Sequence, residues 1–376
     1  MDDYNAPACI IIGMRRVPPS VFCLLLTLLL IVTSCSTPSP APSDTGAASL
    51  YVHRESPPAL LQISADLTTV EREVPLDLPR VCQLYGLYAP AGGDARAAEL
   101  TCPNGPVTLL VQPEGGATWL LLQDNAIDSH FLAWAADGGS LYLRVNSMAD
   151  PHVLRVDIHS LQATDLSIDA YTYDLAAAPD GRHILFSFSH GMGLGSEMWL
   201  ADANGRGGKQ LLSDPENILA FARWSPDGRR LAFIKIPDSQ TPYSAGELWV
   251  AEADGSNARK WAEADAGHGY AASWSPDSTR LAFVVRANPE DPSADQSFEA
   301  LISNIALVDI SSRAVMQVTH FTRGRAETPA WSPDGNTLSF AFVLDGRMDV
   351  QIADLADGTR ASLPGESVCC PVWMWK

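Results

Sequence analysis

Residues 331–340 read Trp331-Ser332-Pro333-Asp334-Gly335-Asn336-Thr337-Leu338-Ser339-Phe340. Ser-Pro-Asp-Gly has the chemistry of a type I turn, with Ser first, Pro setting φ at the second position and Gly fourth. An alternating apolar run follows, as a half-buried strand requires. The segment reads as strand A carrying Trp331, a tight reversal, and strand B carrying Leu338 and Phe340. The pattern recurs at Trp134-Ala-Ala-Asp-Gly, Ala177-Ala-Pro-Asp-Gly, Trp224-Ser-Pro-Asp-Gly and Trp274-Ser-Pro-Asp-Ser, with a weaker copy from Tyr88. Start positions 88, 134, 177, 224, 274 and 331 give spacings of 46, 43, 47, 50 and 57 residues.

The rest of one unit is legible too. After Leu231-Ala-Phe233 come a third strand, Glu247-Leu-Trp-Val-Ala, a polar turn, Glu252-Ala-Asp-Gly-Ser, and a fourth strand, Ala258-Arg-Lys-Trp-Ala. Four antiparallel strands in about 45 residues is the size of a propeller blade. One such sheet cannot bury both faces alone, so blades stack, and Trp and Phe suit the wedge between them.

Trp224-Ser-Pro-Asp-Gly with Leu231-Ala-Phe233, and its counterpart at 274–283, resemble the β-propeller repeat of TolB-like proteins and of prolyl-oligopeptidase propeller domains. The resemblance covers roughly residues 80–376. It implies an all-β propeller, and in TolB six blades and protein partners bound through the propeller. It does not imply one activity, since a fold hosts many functions.

Counting from Tyr88 gives six blades and leaves two pieces over. Pro371-Val-Trp-Met-Trp375 looks like a strand A with nothing after it. Leu50–His53, Leu60–Ser64 and Thr68–Val74 look like strands B, C and D with nothing before them. Joined, they make a seventh blade and leave no bare sheet edge. The expected fold is therefore a seven-bladed propeller of four-stranded blades, closed by the N- and C-terminal strands in one blade. Six blades with an N-terminal extension is the alternative.

Ahead of the repeats, Arg15-Arg16 precede an uncharged run, Val21–Val32, too short to favour a transmembrane helix. Val32-Thr33-Ser34-Cys35 follows and resembles the lipobox of bacterial lipoproteins. That resemblance implies cleavage before Cys35 and acylation of its thiol, with Met14 a more usual start than Met1. The expected organisation is a signal peptide over 1–34, a Ser/Pro-rich linker over 35–48 with lipidated Cys35, and a propeller over 49–376. Membrane lipid is then one partner, and the location is exported, periplasmic or at the outer cell surface.

Cys82, Cys102, Cys369 and Cys370 remain beyond Cys35, an even number in an oxidising setting. Cys82 and Cys102 flank a hairpin, and Cys369 and Cys370 are adjacent. Either Cys82 pairs with Cys102 beside a vicinal pair, or cross-bonds link the two sets and lock the ring where the termini meet.

The chain carries 25 Lys+Arg against 44 Asp+Glu, a formal charge of −19. Nucleic-acid phosphate and anionic lipid both need a basic face, so neither fits as an electrostatic partner. No Gly-x-Ser-x-Gly elbow and no His-Glu-x-x-His stand in the sequence, and the eight His show no ligand spacing. No cofactor, metal or catalytic residue is expected. The A–B and C–D turns are short and uniform, whereas the B–C and D–A loops vary, and variable loops on a rigid scaffold carry binding. The candidate contacts are His190, Tyr243, His268, Tyr270, Asp291, His320, Arg323 and Arg325. The expected role is a monomeric, non-catalytic binding or scaffold module for a protein, peptide or envelope ligand. The rivals are a propeller hydrolase or lyase acting at a central channel, and an accessory subunit of an envelope transport system.

Overall fold

The computed structural model describes residues 48–374, apart from 55–56, 79–81, 91–94, 104, 115, 117–118, 122–127, 147–150, 266–269 and 364–367. The signal segment, Cys35, most of the linker and His268 lie outside the described residues. Among the described residues no helix is long and apolar enough to cross a membrane.

The chain folds as successive antiparallel meanders. The first three strands are β1 (Ser49–Arg54), β2 (Ala59–Ile63) and β3 (Val70–Pro75). One four-stranded sheet follows as β4 (Gln83–Tyr88), β5 (Arg96–Thr101), β6 (Val107–Gln112) and β7 (Leu120–Leu121). The next is β8 (Asp128–Trp134), β9 (Ser140–Asn146), β10 (His152–Asp157) and β11 (Ala163–Asp165). Then come β12 (Thr172–Ala177), β13 (His183–Phe188), β14 (Ser196–Asp202) and β15 (Lys209–Asp214). Another is β16 (Asn217–Trp224), β17 (Arg230–Pro237), β18 (Ala245–Glu252) and β19 (Arg259–Asp265). An eight-stranded sheet comprises β20 (Ser273–Trp274), β21 (Arg280–Arg286), β22 (Ser303–Asp309), β23 (Val315–Gln317), β24 (Arg325–Trp331), β25 (Thr337–Leu344), β26 (Arg347–Asp354) and β27 (Arg360–Ser362). Among the described residues the one strand pairing between its two meanders is a parallel bridge between Ser303 and Arg325. Finally β28 (Val368–Met374) returns to β1, placing Trp373 opposite Leu50 and Val372 opposite Tyr51, so the first and last described strands share one sheet.

The reversals follow from the turn chemistry. Ser332 Oγ donates to Asp334 Oδ1 at 2.5 Å and accepts the N–H of Thr337 at 2.9 Å, while the Gly335 N–H closes the turn onto Ser332 O. Ser225 and Ser275 repeat these bonds. The fourth turn residue needs positive φ, which glycine adopts freely at 228 and 335; Ser278 takes it at 61° and uses its Oγ to accept the N–H of Asp227 from the neighbouring meander.

Apolar side chains from adjacent meanders interlock. Trp274, Leu281 and Phe283 pack on Ile234, Leu248 and Val250, and Trp331, Leu338 and Phe340 pack on Val284, Ile305 and Leu307. Val350 and Ile352 of the last full meander pack on Leu50, Val52 and Leu61, and Leu60 of that sheet packs on Leu84, Leu100 and Leu110. The core thus runs between sheets right round the fold. Each such side chain, fully buried, contributes about 1.5–3 kcal/mol. Contacts run β8–β12–β16–β20–β24–β28, so the first strands of these meanders lie side by side.

Most of the first strands, though not β20, are bulged. Register shifts fall at Leu84/Gly86, Phe131/Ala133, Thr172/Asp174, Ala220/Arg223 and Glu327/Ala330, and Phe221, Thr328 and Cys370 take positive φ. A bulge leaves an N–H without its ladder partner. Two of these are taken by buried carboxylates of the preceding meander: Glu99 Oε2 accepts Phe131 N at 3.2 Å and Asp174 Oδ2 accepts Ala222 N at 2.8 Å.

Cys82 and Cys102 form a disulfide, with Cα atoms 4.2 Å apart, across the β4–β5 hairpin. A cross-bond from Cys82 to Cys369 or Cys370 is therefore not formed. Hairpin neighbours already lie within bonding reach, and closure at the termini is carried by the β1–β28 ladder. Cys370 is disulfide-bonded as well.

Candidate functional site at the loop-rich end

Each meander leaves one end through its short A–B turn and the other through its B–C loop. The loop-rich end is therefore where β12 begins, opposite the end of β13, and where β21 ends, opposite the start of β22. Three features gather there.

The first is a buried charged cluster beneath the loop 287–302. Arg286 ends the apolar run of β21 and is almost fully enclosed. Its NH2 donates to Asp265 Oδ1 at 2.9 Å and to the Tyr243 carbonyl at 2.6 Å, and its NH1 meets Asp295 Oδ1 at 2.6 Å. Arg325, first residue of β24, donates from Nε to Glu327 Oε1 at 3.0 Å and from NH1 to the Phe298 carbonyl at 2.9 Å, with its guanidinium 4.0 Å from the Phe298 ring centroid. Tyr270 lies beside Glu327; burial, then the negative charge of Glu327, raises its phenol pKa, so the hydroxyl stays protonated. Charges this enclosed persist only when paired, and here each guanidinium also pins the overlying loop.

The second is a carboxylate–imidazole pair. Glu99, buried on β5, lies 3.0 Å from His130 Nδ1, and the Tyr88 hydroxyl reaches it at 3.4 Å. Burial, then the charge of Glu99, raises the Tyr88 pKa. Arg144 on β9 faces the same carboxylate and donates to Thr172 O at 3.3 Å.

The third is apolar and exposed. In the loop 189–195, Met192 is 72% and Leu194 62% exposed. Tyr171, 68% exposed, immediately precedes Thr172, which faces Phe188 at the end of β13.

The residues expected from the sequence divide among these. Tyr243, Tyr270 and Arg325 meet in the buried cluster, Arg325 as an enclosed ion-pair partner and not a solvated loop side chain. His190 is exposed, its ring 5.2 Å from that of Phe188. Asp291 is exposed and accepts the Ser293 N–H at 2.9 Å, shaping its own turn. Arg323 pairs with Asp345 at 3.2 Å on the surface, and His320 is exposed. The structure does not bring these last four into one site.

Sequence reasoning passed over Glu99, His130, Asp265, Arg286, Asp295, Glu327, Met192 and Leu194. The available signals were a charge closing an apolar strand (Leu281-Ala-Phe-Val-Val-Arg286) and apolar residues alternating with glycine (Gly191-Met-Gly-Leu-Gly195). Among the described residues no three His, Cys, Asp or Glu side chains converge as a metal site.

No family model matches the chain, and no curated protein matches it. Among solved structures, TolB from Acinetobacter baumannii is similar at 17% identity over 76% of this chain and 81% of that one, with a TM-score of 0.47. A prolyl endopeptidase is similar at 13% identity over 76% of this chain and 43% of that one, with a TM-score of 0.54. An oligogalacturonate lyase in complex with manganese is similar at 15% identity over 84% of this chain and 83% of that one, also at 0.54. The latter two carry the comparison, and at such identities they establish an all-β propeller fold and nothing about activity.

Proposed function

We propose that the chain is a lipid-anchored, extracytoplasmic, seven-bladed propeller acting as a non-catalytic binding module for a protein, peptide or envelope ligand. The observation that carries this reading is the exposed apolar set Met192, Leu194 and Tyr171 on the variable-loop end of a rigid scaffold. Seven blades are supported by dividing the eight-stranded sheet at its single parallel bridge, and by the apolar clusters that join each meander to the next round to β1 and β28. Export is supported by the Cys82–Cys102 disulfide, since such bonds persist in oxidising compartments. The anchor is supported by Val32-Thr33-Ser34-Cys35 after an apolar run.

Pull-down from detergent-solubilised membranes with the full-length protein tests the binding reading. A discrete partner is expected, retained by wild type and lost when loop-end residues are substituted; a protein that retains nothing, or retains the same set in every such variant, refutes it. Radioactive fatty-acid labelling tests the anchor, and label kept by Cys35→Ala refutes it.

One observation favours a second reading. A buried carboxylate orienting a partly exposed imidazole, as Glu99 does His130, is an arrangement that proton transfer uses. Turnover of an envelope substrate abolished by His130→Ala with folding intact would establish it; activity unchanged in that variant would remove it.

A further inference from the structure

Resting on that binding reading, we propose that the cleft at the loop-rich end of the β16–β19 sheet, with the 189–195 loop of the neighbouring β12–β15 sheet at its rim, docks a protein segment combining a basic side chain with large apolar ones. The loop is held and not floppy. Ser189 Oγ donates to Gly195 O at 2.6 Å and accepts the Gly191 N–H at 3.3 Å. Gly195 N donates to Asp238 Oδ2 at 2.9 Å, and Leu194 N donates to Gly191 O at 3.2 Å. A Cβ on Gly195 would stand 2.0 Å from Asp214 O, so only glycine lets the loop base lie against β15. Met192 and Leu194 are thereby presented to solvent on a fixed base, and a preorganised apolar rim loses little entropy on docking.

The charge beside the rim sets the partner. Asp214, against which Gly195 packs, binds Lys235 Nζ at 2.6 Å. Lys235 in turn lines a cavity of about 340 Å³ with Asn217, Pro237, Glu247 and Glu263. Lys260 is shared between Glu247 at 2.8 Å and Glu263 at 2.5 Å. Glu216 and Asp238 continue the acidic edge, Asp238 N donating to Glu216 O and Glu216 N to Asp214 Oδ1. Three carboxylates, Asp214, Glu247 and Glu263, thus share two ammonium groups beside Glu216 and Asp238, and Glu263 is 75% exposed and available to a new cation. A lysine or arginine side chain fits this excess, and the −19 charge of the chain favours its approach while repelling anionic lipid.

Ser49, where β1 begins, pairs with Met374 at the short-turn end, opposite the end bearing Met192, so the chain enters the propeller far from the rim.

A random twelve-residue peptide library displayed on phage, panned on the full chain, tests the proposal. Enriched peptides are expected to combine Lys or Arg with large apolar residues. Their affinity should fall at least tenfold in Met192→Asp/Leu194→Asp and several-fold in Glu247→Gln/Glu263→Gln, with melting temperatures kept because these side chains are exposed or half-exposed. Peptides lacking a basic residue, no enrichment, or equal binding to both variants would overturn it. So would phosphatidylcholine vesicles that sediment wild type but not the loop variant, which assigns the rim to a membrane. A dimer lost in the loop variant would assign it to a second copy. If the library finds nothing here while the membrane pull-down keeps a partner through other loops, the docking proposal fails and the binding reading stands.

Discussion

The indole N–H of Trp331 donates to the carbonyl of Ser273 at 2.9 Å, binding the first strand of one meander to that of the one before it. Trp274 does the same to Arg223 O at 3.1 Å. Trp224 occupies the same motif position, yet its Nε1 has no partner among the described residues. The repeated tryptophan therefore serves as a wedge everywhere and as a tie only in some units.

Trp331→Phe and Trp224→Phe separate the two roles. Trp331→Phe removes a hydrogen bond and should destabilise the fold by about 1–2 kcal/mol, because Ser273 O is left unpaired. Trp224→Phe removes an unsatisfied donor and should change stability by less than about 1 kcal/mol. Urea unfolding of the two variants measures the difference, and equal losses would show that packing alone decides.

His53 makes stability depend on pH. It is buried on β1, its Nδ1 has no partner, and burial lowers its pKa from 6.5 to about 4. The unfolded chain therefore binds an extra proton between those values, so stability is full above pH 6.5 and falls as pH drops towards 4. The loss is on the order of 3 kcal/mol, because a tenfold change in proton affinity corresponds to about 1.4 kcal/mol. His53→Leu should flatten this window in urea melts at pH 7.5 and 4.5. Asp309, held at about 2 chiefly by the Ser311 hydroxyl, titrates below the window and should leave it unchanged.

The Cys82–Cys102 bond closes a loop of sequence separation 20. Removing that constraint frees the unfolded chain by about 3 kcal/mol in the chain-entropy account. Cys82→Ser/Cys102→Ser should lower the melting temperature, and hydrogen exchange should increase first in β4–β6. Unchanged exchange there would mean that the neighbouring apolar cluster suffices.

Arg286→Ala leaves Asp265 fully buried without its guanidinium, and such a loss costs about 3–5 kcal/mol. It also releases Asp295 and the Tyr243 carbonyl, so the loop 287–302 should be cut by protease faster than in wild type. Arg323→Ala, whose pair with Asp345 is exposed, should do neither beyond about 1 kcal/mol.

Local chemistry made the fold legible. A turn of Ser, Pro, Asp and Gly with alternating apolar flanks dictates a hairpin wherever it occurs, and its period dictates the four-strand unit, because both depend on neighbours only a few residues away. The pairing of β1 with β28 was also readable, from leftover strands that would otherwise expose ladder edges. The proposed anchor and export signal rest likewise on consecutive residues alone.

The repeat, the reversals and the apolar faces were readable from the residues in order, since these follow from short-range sterics and side-chain period. It took the packed sheets to show that Arg286 and Arg325 lie buried beneath one loop, that Glu99 meets His130 31 residues on, and that Met192 stands exposed to solvent. A charged or apolar side chain takes its role from what surrounds it, and those surroundings come from meanders far apart in the chain that meet only when the sheets pack.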